Sequence, residues 1–295
     1  MRTGCRQKGI ALFQVLLLSV ILSLLAMFIT QKVKQQTQAA LRLTDKMQAM
    51  MQAKSAESEL MALMLTQSIE NYRRIPGWNI YGEFFSFKPG VQVSIQSMNG
   101  LITIGDNQVS ERLLTQLISQ TGLTQEPQTV SQSLLDFIDR DGTSRGSQTE
   151  SNAFETALPN RWVQHSSELR YLKGMTTELL HVLNRYVNWQ SLGSYNPSAS
   201  PEHVLRLLFG DEITKEIQSL REKQVEYEFY SRRVAELTKL DDELGVSFAG
   251  PMYCIQIRST AGDGFWAYQL VVFINKQNLK DPLLFLSRES VFQDV

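Results

Sequence analysis

From Ile10 to Ile29 the chain runs twenty residues without a charged side chain. Only Gln14, Ser19 and Ser23 interrupt its apolar character. At a helical rise of about 1.5 Å per residue the run covers roughly 30 Å, the thickness of a bilayer core. Because a lone spanning segment must satisfy its own backbone groups in lipid, this stretch is expected to be a transmembrane helix. Arg2, Arg6 and Lys8 precede it and Lys32 and Lys34 follow it. The denser cationic flank predicts a cytoplasmic N-terminus, with the rest of the chain across the membrane.

An export signal that is cleaved behind its apolar region usually keeps that region to about 7–15 residues, closed by a small-x-small site. Here the run is longer, and the nearest such pattern, Thr37-Gln38-Ala39, lies beyond both lysines. The boundary on the other side carries more information. Gly9 stands between the cationic head and the first apolar residue, Ile10. With no side chain, glycine suits an extended scissile bond at the membrane face. A cut there removes the charged leader and keeps the helix. A plain, uncleaved signal anchor is the competing reading of the same residues.

The order of basic leader, glycine and twenty-residue apolar helix resembles the class III signal of type IV pilins and type II secretion pseudopilins. The resemblance implies cleavage after Gly9 by a prepilin peptidase and N-methylation of the new first residue, Ile10. Most members of those families carry glutamate at the fifth mature position, and here that position is Gln14. An ionised carboxylate in lipid costs on the order of 3 kcal/mol unless paired. In such filaments its partner is thought to be a neighbour's terminal amine. A neutral Gln14 avoids the penalty in a subunit with no neighbour beyond it.

No glycine or proline occurs from Ile10 to Ile75. Ala40, Leu43, Met47 and Met50, then Met61 and Met64, carry an apolar seam past the membrane, so one helix is expected over 10–75, with 10–29 in lipid. Pro76-Gly77 stops it. The stretch FFSFKPGVQVSIQSMNGLITI then alternates, with Val91, Val93 and Ile95 on one side, and Asn99-Gly100 predicts a two-residue hairpin between Ile95 and Leu101. Helices are expected over 109–119, 131–138, 166–172, 176–189, 200–208 and 212–243. MYCIQIRST and FWAYQLVVFINK alternate again around Ala261-Gly262-Asp263-Gly264, a second hairpin. The expected fold is therefore α+β: a pilin-like long N-terminal helix packed on an antiparallel sheet, with a large helical domain inserted between strands. The expected divisions are a leader at 1–9, the helix at 10–75, a sheet from 76–105 and 247–295, and the inserted domain at 106–246.

Further stretches resemble one branch of this family, the K-type minor pseudopilin of type II secretion (general secretion pathway protein K). They are SMNGLITI (97–104), LLDFIDRDG (134–142), SSELRYLKGMTTEL (166–179), YNPSASPEHVLRLL (195–208) and, loosely, FLSRES (285–290). The Ser-Glu-Leu-Arg hairpin inside a pilin frame is the discriminating feature. The K type is also known for lacking the glutamate that Gln14 replaces. The segment 212–243 is the least family-like part.

Asp139, Asp141 and Glu150 stand at positions 1, 3 and 12 of DRDGTSRGSQTE, hard oxygens of the kind that suit calcium. As an EF-hand the loop is poor, since its glycine falls at position 4 and Arg145 is cationic. The resemblance implies calcium in the helical domain, with Asp136, Asp139, Asp141, Glu150 and Asn152 as candidate ligands. Segments 168–180 and 201–209 also look like helix-hairpin-helix units, in which Lys173-Gly174 could offer amides to a phosphate. Charge argues against nucleic acid: losing Arg2, Arg6 and Lys8 with the leader leaves 26 basic residues against 30 acidic ones, a net of −4. Gly174 reads more simply as a helix C-cap. His165, His181 and His203 form no cluster, and no nucleophile-elbow pattern occurs, so an enzyme is not expected. With only Cys5 and Cys254 the chain has no disulfide framework, and Cys254 is expected to be a small buried hydrophobe.

The resemblance thus implies a single-pass protein of the bacterial inner membrane with its C-terminal part in the periplasm. It implies a place at the tip of the type II secretion pseudopilus, in a heterocomplex with other minor pseudopilins that initiates assembly and supports export of folded proteins. The implied partners also include the prepilin peptidase and membrane lipid, with no nucleic acid. A minor pilin at a type IV pilus tip and an uncleaved, signal-anchored periplasmic binding module are the alternatives.

Overall fold

Helix α1 is a single 59-residue rod, Lys8–Thr66, in the computed structural model. The structure describes residues 8–67, 75–104, 108–124, 126–138, 163, 166–189, 195–223, 225–239, 250–278 and 280–290. At 1.5 Å per residue the rod is about 88 Å long. It ends at Thr66 rather than continuing to residue 75, and Ile75 already lies in the bend before Pro76-Gly77.

The lower half of α1 packs against no other element among the described residues. The upper half buries a face of small and flexible residues, Ala49, Ala53, Ala56, Leu60 and Met64. Spacings of four and three place these on one side of the rod. Alanines there let the backbone come close to a sheet of β1 (Tyr81–Lys88), β2 (Val91–Ser97), β5 (Met252–Ala261), β6 (Gly264–Ile274) and β7 (Leu283–Ser290). The strand order is β1-β2-β5-β6-β7, antiparallel throughout. Val91, Val93 and Ile95 from β2 meet Tyr253, Ile255 and Ile257 from β5 on the inner face, as the alternation in both segments predicts.

Strands β2 and β5 are adjacent in space but far apart in sequence, and the chain between them builds the helical block. It contains β3 (Ile102–Thr103), α2 (Gln108–Thr121), α3 (Pro127–Ile138), α4 (Thr177–Leu183), β4 (Val187–Asn188), α5 (Glu202–Glu222) and α6 (Tyr227–Thr238). β3 and β4 form a small parallel pair. The block has its own core, in which Ile102, Leu114, Leu117, Leu134, Phe137, Leu169 and Leu179 interdigitate. The second half of α5 and α6 instead pack onto the sheet core through Ile217, Tyr230 and Val234.

Four expectations are corrected here. Asn99-Gly100 is not a hairpin turn; the hairpin lies one loop earlier, at Pro89-Gly90, where Gly90 adopts φ +74° and β1 pairs with β2. Met98–Gly100 is a short 3₁₀ turn that takes the chain out of the sheet. The helix expected over 176–189 stops at Leu183, and the residues that follow enter β4. The helix expected over 212–243 is two: α5 starts earlier, passes Gly210 at φ +81° and ends at Glu222, and α6 folds back as a separate element. The segment expected as a helix over 166–172 is 3₁₀, Ser166–Tyr171. Gly174 turns at φ +80°, and Thr176 caps α4 by accepting a hydrogen bond from the Leu179 amide at 3.1 Å.

Candidate functional site

The apolar rod, its docked half and the block above it are the features that carry function. Gly9 and Ile10 lie in the first turns of α1. From Leu12 to Ile29 every large apolar side chain is exposed, and the most apolar eighteen-residue window has a mean hydropathy of 2.7. The hydroxyls of this stretch are satisfied inside the helix. Ser19 donates to the Leu16 carbonyl, Ser23 to that of Ser19 and Thr30 to that of Ala26, each at 2.8 Å. That leaves the Gln14 amide as the exposed polar side chain of the apolar run, facing outward with no partner among the described residues.

Above the run the predicted seam divides. Leu43 and Met47 are 61% and 53% exposed, and Val33 below them and Met51 above them are exposed too. On a helical wheel these four fall roughly opposite the alanine face. Sequence periodicity marked a seam but placed Leu43 and Met47 on the same line as Met64, which the sheet covers.

Two polar contacts fix the height of the sheet on the rod. The Asp263 amide, in the β5–β6 turn, donates to Asp45 Oδ2 at 3.1 Å. At the other end of β6, Lys276 Nζ donates to the Gln67 carbonyl at 2.6 Å. The β5–β6 turn therefore points toward the apolar run, and the ends where the block leaves (Ser97) and rejoins (Met252) point away from it. The block crowns the end of the sheet distal to the apolar helix.

A third contact lies between these ends. Glu57 on α1 is nearly buried, receives the Tyr268 hydroxyl at 2.5 Å and Lys54 Nζ at 3.0 Å, and pairs with Arg288 from β7. Burial, followed by the neighbouring Glu57 carboxylate, pushes the Tyr268 hydroxyl well above its ordinary pKa. Arg288 is the basic residue of FLSRES. Sequence reasoning marked that strand but had no means to find Glu57.

The block is bolted to the sheet through YNPSASPEH. The Asn196 amide donates to the Asn99 carbonyl and Ser200 Oγ to the Gly100 carbonyl, both at 2.7 Å. Gln96 Nε2 reaches the Ala199 carbonyl at 3.1 Å. Arg221 from α5 donates to the Ser200 carbonyl at 2.6 Å and to the Tyr230 hydroxyl at 2.8 Å, and its guanidinium lies 3.8 Å over the Tyr81 ring. Tyr230 in turn donates to the Ser198 carbonyl at 2.9 Å. The least family-like segment thus supplies residues that clamp one of the stretches resembling the family.

Of the candidate calcium ligands, Asp136 is buried near the end of α3, while Asp139, Asp141, Glu150 and Asn152 lie outside the described residues. Among the described residues no three metal-ligating side chains stand together. His181 and His203 are both exposed on separate helices, and His165 lies outside the described residues. Partial shielding of the His203 ring from solvent lowers its pKa. Cys254 corrects another expectation. It is only half-buried and sits on the outer sheet face, at the wall of a cleft, with its thiol pushed up to about 12 by burial.

Residues 95–189 match the family model described as type II secretion system (T2SS), protein K. No curated protein matches the chain. A chain from the crystal structure of the GspK–GspI–GspJ complex of the enterotoxigenic Escherichia coli type 2 secretion system is similar at 18% identity and a TM-score of 0.53. The similarity covers 88% of this chain and 100% of that one. The matched span begins in β2, includes the Ser-Glu-Leu-Arg hairpin and ends just after β4. The match over residues 95–189 agrees with the resemblance to the K-type minor pseudopilin, and the similar solved chain bears out the α+β class with a long N-terminal helix.

Proposed function

We propose that this chain is a minor pseudopilin that caps a type II secretion pseudopilus as part of a tip complex with other minor pseudopilins. The observation that carries the reading is the placement of the helical block, whose first part matches protein K, at the sheet end distal to the apolar rod. A body of that size leaves no room for another subunit stacked on the same axis. The rod below it offers lipid a bare apolar surface and offers partners the stripe Val33, Leu43, Met47 and Met51. Beyond the lipid, such a stripe packs against a partner's helix because that removes its apolar side chains from water. The peptidase cuts after Gly9, Ile10 becomes the methylated first residue, and the neutral Gln14 lets the subunit sit last, because no carboxylate then needs a neighbour's amine.

The mechanism is assembly, not bond chemistry. A preformed tip removes part of the nucleation cost of a filament, and the growing filament pushes folded cargo outward. The membrane helix holds the subunit in the inner membrane, N-terminus inside and folded part in the periplasm, until assembly draws it out. The similar chain comes from a complex of GspK, GspI and GspJ, which supports partners of the same kind here.

The test is to place aspartate at the stripe. Leu43→Asp with Met47→Asp alters two exposed positions that the chain's own core does not use, so the folded content is expected to be unchanged by circular dichroism. Co-purification with the two partner minor pseudopilins is expected to fall at least about tenfold, from the loss of roughly 1.4 kcal/mol or more of helix packing. Undiminished co-purification would overturn the proposed interface.

A further inference from the structure

The two edges of the five-stranded sheet differ. β1 breaks register twice within its eight residues and carries Glu83 and Lys88, devices that twist and charge an edge against pairing. β7 carries no charge from Leu283 to Ser287, and Leu284, Phe285 and Leu286 stand exposed in a row. Among the described residues no strand pairs with its far side. An exposed apolar edge of this kind is a template for another strand.

The alternation of the ladder shows which backbone groups that edge offers. The Ile274 amide donates to the Pro251 carbonyl, beside β5, and the Asn275 amide to the Pro282 carbonyl, beside β7. Residues of β6 therefore face β5 and β7 in turn, and Leu270 and Val272 face β5. Arg288 and Phe285 lie opposite these two, so their own amides and carbonyls turn outward. Leu284 and Glu289, opposite Phe273 and Gln269, turn inward to β6.

The edge is continuous with the bare stripe of α1. Met51 follows Met47 by four residues and Lys54 follows Met51 by three, on the same flank of the rod. Lys54 bonds Glu57, which pairs with Arg288 of β7. A partner helix on the stripe thus comes up against β7. A second copy of this chain does not fit there. α1 runs along β6 from Asp45 to Gln67, so antiparallel pairing of two β7 strands points their rods in opposite directions, which one membrane does not hold. In-register parallel pairing sets Arg288 beside Arg288 and Glu289 beside Glu289.

We infer that the outer edge of β7 takes up a strand of the minor pseudopilin whose helix lies on the stripe, so that one partner is held both by apolar helix packing and by main-chain hydrogen bonds. The inference rests on the tip reading for the identity of that partner.

The test uses the full chain in detergent, alone and co-purified with the two partner minor pseudopilins. Amide hydrogen exchange over 283–290 is expected to slow at least about tenfold in the complex, relative to the chain alone. Leu284→Lys with Leu286→Lys, at exposed positions, is expected to reduce co-purification at least about tenfold. Phe285→Pro removes an outward amide and leaves the bonds to β6, and is expected to weaken the complex at least about threefold more than Phe285→Ala. Should Phe285→Pro fail to fold by circular dichroism, the lysine pair and the exchange measurement decide. A complex that forms with unchanged exchange over 283–290, or that tolerates the lysine pair, would overturn the inference and leave the tip reading standing. Slowing that appears in the chain alone and grows with its concentration would mean a second copy and would overturn it too. No complex at all would overturn both.

Discussion

Gly100→Ala is expected to destabilise the folded chain by at least about 3 kcal/mol and to loosen the block from the sheet. A Cβ built on Gly100 would stand 2.0 Å from the Ala199 carbonyl oxygen and 2.5 Å from its carbon, and both are backbone atoms. No rotamer change relieves a clash between two main chains. The Asn99 and Gly100 carbonyls would have to withdraw from Asn196 and Ser200, which breaks two hydrogen bonds of 2.7 Å. Gly122→Ala is the control: Gly122 has φ +64° but no atom within 4 Å of the added carbon. Its cost is backbone strain alone, about 1–2 kcal/mol. Urea titrations of both variants, followed by near-ultraviolet circular dichroism, measure the difference. Equal midpoints would show that the Gly100–Ala199 approach does not hold the junction.

Arg288→Met is expected to cost about 2 kcal/mol. Breaking a fully buried ion pair costs about 3–5 kcal/mol, because the remaining charge is stranded. Here the figure is discounted, since Arg288 is half-exposed and Lys54 with the Tyr268 hydroxyl still faces Glu57. The sharper expectation concerns the pair. Glu57→Met together with Arg288→Met removes the stranded carboxylate as well, and is expected to recover at least about 1 kcal/mol relative to Arg288→Met alone. Denaturant midpoints for the two single variants, the double variant and the parent close the cycle. A double variant less stable than Arg288→Met would mean that the ion pair itself, not the desolvated charge, sets the cost.

The parts legible in the sequence are those decided by neighbours along the chain. The apolar run, the alternation of β5 and β6 around Gly262-Asp263 and the turn at Gly174 before a helix starting near Thr176 are all of this kind. Asn99-Gly100 was misread because the dipeptide signals a local turn, while its conformation is decided by Asn196 and Ala199, about a hundred residues away. The break between α5 and α6 carries no glycine or proline. It exists because α6 must fold back for Tyr230 to reach Ser198 and Arg221. Periodicity identified an apolar seam on α1 but could not tell that the sheet covers Ala49 to Met64 and leaves Leu43 and Met47 bare. The Glu57–Arg288 pair spans 231 residues and has no local signature at all. Cys254 faces outward because its register in β5 alternates with the buried Tyr253 and Ile255.

The central claim is that the charged head is removed and the apolar rod is retained as the first element of the mature protein. Intact-mass and N-terminal peptide analysis of the chain purified from the membranes of secreting cells tests it directly. The account predicts a chain that begins at Ile10 and carries one added methyl group on its terminal amine. A chain that begins at Met1, or one cut beyond Ile29, would contradict it.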